Sequence, residues 1–355
     1  MDLKKIFDEN GITNPVRNST AVERTMENPI KESYLEGKLI ELFDNFYGQK
    51  RSKFDLGLYN TFLEALDSKK YNTYDIEGDI PRLCEIARFY QHIHNNLNNF
   101  GFTGLFVSAA INKAADGRNE INLRLTSPLD HILYKSSDKK SIISGKAGDH
   151  LGQYSKNCNI TAEEAGDDAG DSMRNVVIYV KKAGDNLGVY SQNCNITAEE
   201  ARDYAGVGMT GGILDIKKAG DYLGASARNC KITADESKDS AGCRMKNVSL
   251  DIKKARDYLG ASARNCKIIS ENTRHYAGWQ MTGGILEIKQ AGDYLGELSE
   301  NCQITAEESG DHAGWSMKKG TLNVKKAGKH FGKFSHKTIL VLNGHKKGFL
   351  WKVLN

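Results

Sequence analysis

From residue 147 onward, apolar and polar positions recur with one long, fixed period instead of the 3.6-residue rhythm of a helix face. Aligned on the hexapeptide AGDYLG (219–224, repeated at 291–296), coils start at 147, 165, 183, 201, 219, 237, 255, 273, 291, 309 and 327, an unvarying interval without one insertion. Position 6 is glycine in all eleven, from Gly152 to Gly332, and position 14 is Ile or Leu in the ten complete coils, from Ile160 to Leu322. Positions 12, 14 and 16 carry the apolar residues in alternation. Eighteen residues are too few for the helix pair of an α-solenoid. The pattern predicts one turn of a β-solenoid per coil, with parallel strands stacked about 4.8 Å apart. No proline follows Pro128, as expected where each coil's amides must bond the next coil.

The exact words return only at every second coil, because odd and even coils differ in a compensating way. Position 5 runs Leu187, Ala205, Leu223, Ala241, Leu259, Ala277, while position 9 runs Ser191, Met209, Ala227, Met245, Ala263, Met281. A large residue in one coil thus meets a small one in the next, which fills a narrow core without voids. The surface alternates as well: Glu199-Glu200, Lys217-Lys218, Asp235-Glu236, Lys253-Lys254. Opposite charges on adjacent strands attract, so the unit is a pair of coils.

The earlier part reads differently. All four prolines and nine of the twelve phenylalanines precede residue 129, whereas six of the seven cysteines follow it. Pro29 and Gly48 bracket a helical stripe of Leu35, Leu39, Leu42, Phe43 and Phe46, with proline at a helix start and glycine past its end. A second stripe runs from Pro81 to before Gly101, residues 58–66 offer a shorter helix, and the apolar run 102–111 fits strand or buried helix. The expected architecture is a mainly helical N-terminal domain (1–140), a right-handed parallel β-helix of about eleven 18-residue coils (141–336) and a C-terminal cap (337–355).

Candidate chemistry is sparse. Net charge is +4, too mild to argue for nucleic acid, and no apolar run reaches the roughly 18 residues of a membrane span. The start, MDLKKIFDENG, lacks a signal-peptide core, so the expected location is cytoplasmic. Cys158, Cys194, Cys230, Cys266 and Cys302 share position 12 of odd coils. Two coil steps, about 9.6 Å, exceed the roughly 7 Å limit for a disulfide, so they read as small buried hydrophobes. Cys84, His92 and His94 lack a fourth zinc ligand nearby. Gly206, Gly208 and Gly211 match a dinucleotide-binding fingerprint but lie inside a repeat, without the strand–turn–helix context that motif needs. Position 11 is Asn or Gly in nine of ten coils, which marks a positive-φ turn. Asp recurs at position 3 in nine of eleven coils; calcium is one reading, capping of backbone amides the other. Position 4 carries Tyr204, Tyr222, Tyr258, Tyr276 and Tyr294. These form a possible interaction stripe, or a ladder of rings stacked for their own sake.

The even coils, above all Gly206-Val207-Gly208-Met209-Thr210-Gly211-Gly212, resemble the GXGXG repeat. That family includes the C-terminal domain of the glutamate synthase large subunit and one of the subunits of formylmethanofuran dehydrogenase. The resemblance covers roughly 147–335 and implies a right-handed parallel β-helix that serves as a scaffold. This chain departs from the family by its unvarying period and by SxNC in odd coils, and it lacks an N-terminal cysteine nucleophile and an iron–sulfur cysteine cluster. The expected function is a non-enzymatic scaffold or interaction protein, without catalytic, cofactor-binding or metal residues. It would dock a protein partner or a second copy of itself. The alternative is an accessory subunit of an oxidoreductase or amidotransferase complex.

Overall fold

The structure is a computed structural model that describes residues 60–61, 63–64, 100–114, 120–125 and 128–347. All of these belong to one compact unit, Phe54–Asn355. The strands are β1 (Glu120–Leu125), β2 (Lys140–Lys146), β3 (Asn159–Ala165), β4 (Val177–Ala183), β5 (Gln192–Ala201), β6 (Thr210–Ala219), β7 (Lys231–Glu236), β8 (Ser249–Lys254), β9 (Arg264–Asn272), β10 (Thr282–Ala291), β11 (Gln303–Ser309), β12 (Thr321–Ala327), β13 (Ile339–Leu342) and β14 (His345–Lys347). They form one sheet in sequence order, and every pairing from β1 to β13 is parallel. The chain is therefore a parallel β-solenoid. From β3 to β13 the register advances by one full coil at each step, as in Ile196↔Leu214 and Leu214↔Ile232.

The other half of each coil is a run of tight turns, yet it keeps the same coil-to-coil bonding. In coil 219–236 four residues have positive φ: Tyr222 (60°), Gly224 (62°), Ser226 (60°) and Asn229 (52°). The same four positions are positive in every coil from 147 on, which bears out the turn expected at position 11. The amides of Tyr222, Ser226 and Asn229 donate to the following coil, at Asp239 O, Cys243 O and Lys246 O. Those of Gly224 and Arg228 donate to the preceding one, at Ala205 O and Met209 O. Left-handed backbone costs a non-glycine residue roughly 1–2 kcal/mol, and the inter-coil bonds on both sides hold it there.

The core is as thin as the pattern implies. Leu187, Ala205, Leu223, Ala241, Ser191, Met209, Ala227 and Met245 are all fully buried. A methyl at Gly188 or Gly224 would run into Ile196 Cδ1 or Ile232 Cδ1, and one at Gly242 would run into Met245 Cε. Ile, Leu or Met thus occupies the space that the position-6 glycine leaves. On the strand face the acids of an odd coil pair with the lysines of the next even coil: Glu199–Lys217 at 3.4 Å, Asp235–Lys253 at 2.6 Å and Glu308–Lys326 at 2.7 Å. These pairs are exposed, so each contributes at most about 1 kcal/mol.

Both ends differ from expectation. Within 1–140 the described residues divide between helix and solenoid. Residues 60–61 and 63–64 are helical, and the apolar run resolves as helix Phe100–Ala114, but β1 and a full coil at 128–146 already belong to the stack. That coil is one residue longer than those after it: Lys140 pairs with Asn159, whereas Lys146 pairs with Glu164. The extra residue is absorbed around Ser144 and Gly145, the latter at φ +93°. The stripes expected at 29–48 and 81–100, with Cys84, His92 and His94, lie outside the described residues. Helix 100–114 is buried on all sides from Leu105 to Ile111 and closes on coil 128–146. Ser108 Oγ donates to His131 O (2.7 Å), and Asn112 Nδ2 donates to Tyr134 O (3.0 Å). At the other end, Ile339–Leu342 adds one more parallel strand, and β14 folds back antiparallel to it. Phe349, Leu350 and Trp351 of the expected cap lie outside the described residues.

All five position-12 cysteines are buried, and Cys243 is half-buried. Burial pushes the thiols of Cys230 and Cys302 up to about 11. Under native alkylation at neutral pH, Cys243 will react on the order of tenfold or more faster than Cys158, Cys194, Cys230, Cys266 or Cys302. Site-resolved mass spectrometry checks this. Fast native labelling of Cys230 would contradict the inward placement of position 12.

Candidate functional site

Because the coils are in register, any residue type that recurs at one position becomes a column. The aspartates of position 3 show what such a column does. Asp149 Oδ1 accepts the amide of Asp167 (2.8 Å), Asp167 Oδ1 that of Asp185 (2.8 Å), and Asp203 Oδ1 that of Asp221 (2.8 Å). The series runs from Asp130 to Lys329. Where His275 replaces aspartate, its Nδ1 accepts the amide of Asp293 in the same place (3.2 Å). Each carboxylate thus caps an amide of the next coil, the second of the two readings open to the sequence. A methyl at Gly166, Gly184 or Gly220 would strike the aspartate of the preceding coil, although Arg202, Lys238 and Arg256 hold the same position in coils that keep the cap. Burial pushes the Asp130 carboxyl above the usual carboxylate range, against the pull of the Asp149 amide.

Beside this column lies a groove of about 1030 Å³ over coils 128–238. Its lining mixes signs, with Asp167, Asp185 and Glu200 against Lys182, Arg202 and Lys218. Among the described residues no three His, Cys, Asp or Glu side chains converge as metal ligands. Gly206 and Gly208 lie at φ 68° and 67° between β5 and β6, and Gly211 at φ 70° in the first residues of β6. The ring of Tyr190 lies where a side chain on Gly208 would project. No helix follows, so the fingerprint has a turn-forming role here.

The tyrosines of position 4 form a stacked ladder. Ring centroids are 5.1 Å apart for Tyr204–Tyr222, 5.0 Å for Tyr258–Tyr276 and 4.8 Å for Tyr276–Tyr294, with planes within 8°. Tyr204, Tyr222 and Tyr258 are exposed. The structure lengthens the ladder beyond the five tyrosines. His312 stacks on Tyr294 (4.7 Å), His330 follows at 4.9 Å, and Trp279 and Trp315 meet its edges from position 7. At the other end of the solenoid His131 stacks on His150 at 4.4 Å. Burial pulls the His131 imidazole down to about 4, with the neighbouring His150 adding to it. Reading the column for any planar ring, instead of for tyrosine alone, would have found these.

No protein-family model, curated protein or solved structure matches this chain. The columns therefore carry the functional argument alone.

The aspartate column should behave as structure. Asp221→Ala removes the acceptor for the Asp239 amide (2.9 Å) and should lower stability by about 1–3 kcal/mol. Asp221→Asn keeps an acceptor and should recover most of that loss. Urea unfolding at neutral pH checks both, and an Ala variant as stable as wild type would contradict the capping role.

Proposed function

We propose that this protein is a non-enzymatic β-solenoid scaffold that docks a protein partner, or a second copy of itself, along the aromatic column. The observation that carries this reading is the exposure of Tyr204, Tyr222 and Tyr258 within a stacked ladder. Rigid aromatic groups bring large contact area at little entropic cost, and a solenoid presents them on a stiff support. The other recurrent groups are already committed, the aspartates to amides and the position-12 cysteines to the core. Free buried thiols suit a reducing compartment, in keeping with the proposed cytoplasmic location. Among the described residues no helix is long and apolar enough to cross a membrane.

The alternative reading is an accessory subunit of a glutamate synthase-like or formylmethanofuran dehydrogenase-like complex. It rests on the GXGXG resemblance and on the Met-Thr-Gly-Gly strings at Met209–Gly212 and Met281–Gly284, whose paired glycines all have positive φ. A right-handed winding, the hand of nearly all parallel crossovers, belongs to the same proposal. Co-purification with a flavin or iron–sulfur protein would favour this alternative.

The test replaces Tyr258, Tyr276 and Tyr294 together by serine, the residue that Ser240 already supplies at this position. Full-length wild type should retain a partner or self-associate, and the triple variant should lose at least about tenfold of that affinity, as hot-spot aromatics do. The fold should survive by circular dichroism. Equal association by both proteins, or no association by wild type, would contradict the docking reading.

A further inference from the structure

The ladder lacks one rung. Between Tyr222 and Tyr258, position 4 is Ser240, and its backbone (φ 61°) matches that of Tyr222 (60°) and Tyr258 (61°). The backbone there is in the conformation that carries a ring in the neighbouring coils, but no ring is present. Tyr222 stacks only on its Tyr204 side; Tyr258 stacks on Tyr276 and meets Trp279 edge-on. Among the described residues no ring or cation covers the faces these two tyrosines turn toward each other. Two coil steps separate the rings by about 9.6 Å. A planar ring midway would lie about 4.8 Å from each centroid, within the range of aromatic pairs and equal to the spacing of the existing rungs.

The residues around the slot are small, with Ala225 and Ala261 buried and Cys243 half-buried. Position 7, which holds Trp279 and Trp315 farther along, is Ala225, Cys243 and Ala261 in the three coils around Ser240. Cys243 N donates to Ser240 O (3.2 Å), so the turn brings this small position beside the vacant rung. Arg244 follows Cys243, is exposed, and forms no ion pair with an acid among the described residues. The nearest aspartates of the column, Asp221, Asp239 and Asp257, hold their Oδ1 atoms against the amides of Asp239, Asp257 and His275. Lys238 and Arg256 stand before two of them. We infer that the Tyr222–Ser240–Tyr258 slot binds a planar heterocycle carrying an anionic group, such as a nucleotide, with the ring sandwiched by the two tyrosines and the anion met by Arg244. A guanidinium fork suits phosphate or carboxylate, and base–tyrosine stacking tolerates any flat heterocycle.

This inference stands apart from protein docking, since a small ligand needs only the slot. The test titrates adenosine 5′-monophosphate onto the full-length protein, followed by calorimetry and by the rate at which Cys243 is alkylated. Wild type should bind saturably at millimolar concentrations or below, and the ligand should slow labelling of Cys243. Adenosine, without the anion, should bind more weakly, and ribose 5-phosphate, without the ring, should not bind. Ser240→Tyr fills the rung and should bind at least about tenfold more weakly while melting higher, since it completes the stack. Arg244→Gln, an exposed change that leaves the fold alone, should weaken binding about five- to tenfold. No saturable binding by wild type, unchanged binding by both variants, or binding that leaves Cys243 labelling untouched would overturn the inference.

Discussion

The structure depends on one requirement: around its whole perimeter, each coil must hydrogen-bond the coil before it and the coil after it. In the strands the parallel ladder meets this without special residues. At the corners the chain meets it with a run of tight turns that places left-handed residues at the same four positions of every coil, and there Tyr222 donates to the following coil while Gly224 donates to the preceding one. A single added residue would carry these turn positions out of register with both neighbouring coils, and the coil length never varies from 147 on. The one extra residue, in coil 128–146, sits at a bulge beside Gly145, next to the strand's end. Proline, with no amide to give, is absent after residue 128.

In-register stacking then settles the side chains. Inside, position 14 stacks Ile or Leu in every coil, while at positions 5 and 9 a large residue meets a small one, so the repeat doubles to a pair of coils and Leu faces Ala, Met faces Ser or Ala. Outside, like residues stack into columns, and each column must be tolerable at about 4.8 Å. Lysine and glutamate manage this by alternating, aspartate by turning its carboxylate onto an amide, and tyrosine by stacking its rings. The functional surface is what these columns leave over: the exposed ring edges and the vacant rung at Ser240.

The period, the inward cysteines, the Leu/Ala and Met/Ser alternation and the positive φ of position 11 were legible because each is repeated many times. What escaped the sequence lies where repetition fails. Coil 128–146 carries Leu133 at φ 61° in the glycine column and is one residue too long, so it shares neither the signature nor the spacing. Helix Phe100–Ala114 is apolar over its middle because it is buried all round there, and periodicity cannot tell such a helix from a strand. The amide-capping role of aspartate was one reading of two, since only the register shows that Oδ1 lies under the next coil's amide. The aromatic column was read through tyrosine alone, which hid both the histidines that extend it and the meaning of the serine that interrupts it.

The two-coil unit is tested most directly by comparing deletion of 201–218 with deletion of 201–236. Removing one coil sets 183–200 on 219–236, so Glu199 and Glu200 face Asp235 and Glu236, at up to about 1 kcal/mol for each like pair. Leu187 then lies on Leu223 while Ser191 lies over Ala227, a crowding and a void each worth on the order of 1–3 kcal/mol. Removing two coils sets 183–200 on 237–254, where Glu199 and Glu200 meet Lys253 and Lys254, Leu187 meets Ala241, and Ser191 meets Met245. The longer deletion should melt at the higher temperature although it discards more core. A one-coil deletion that melts as high or higher would contradict the claim that alternation between coils sets the packing.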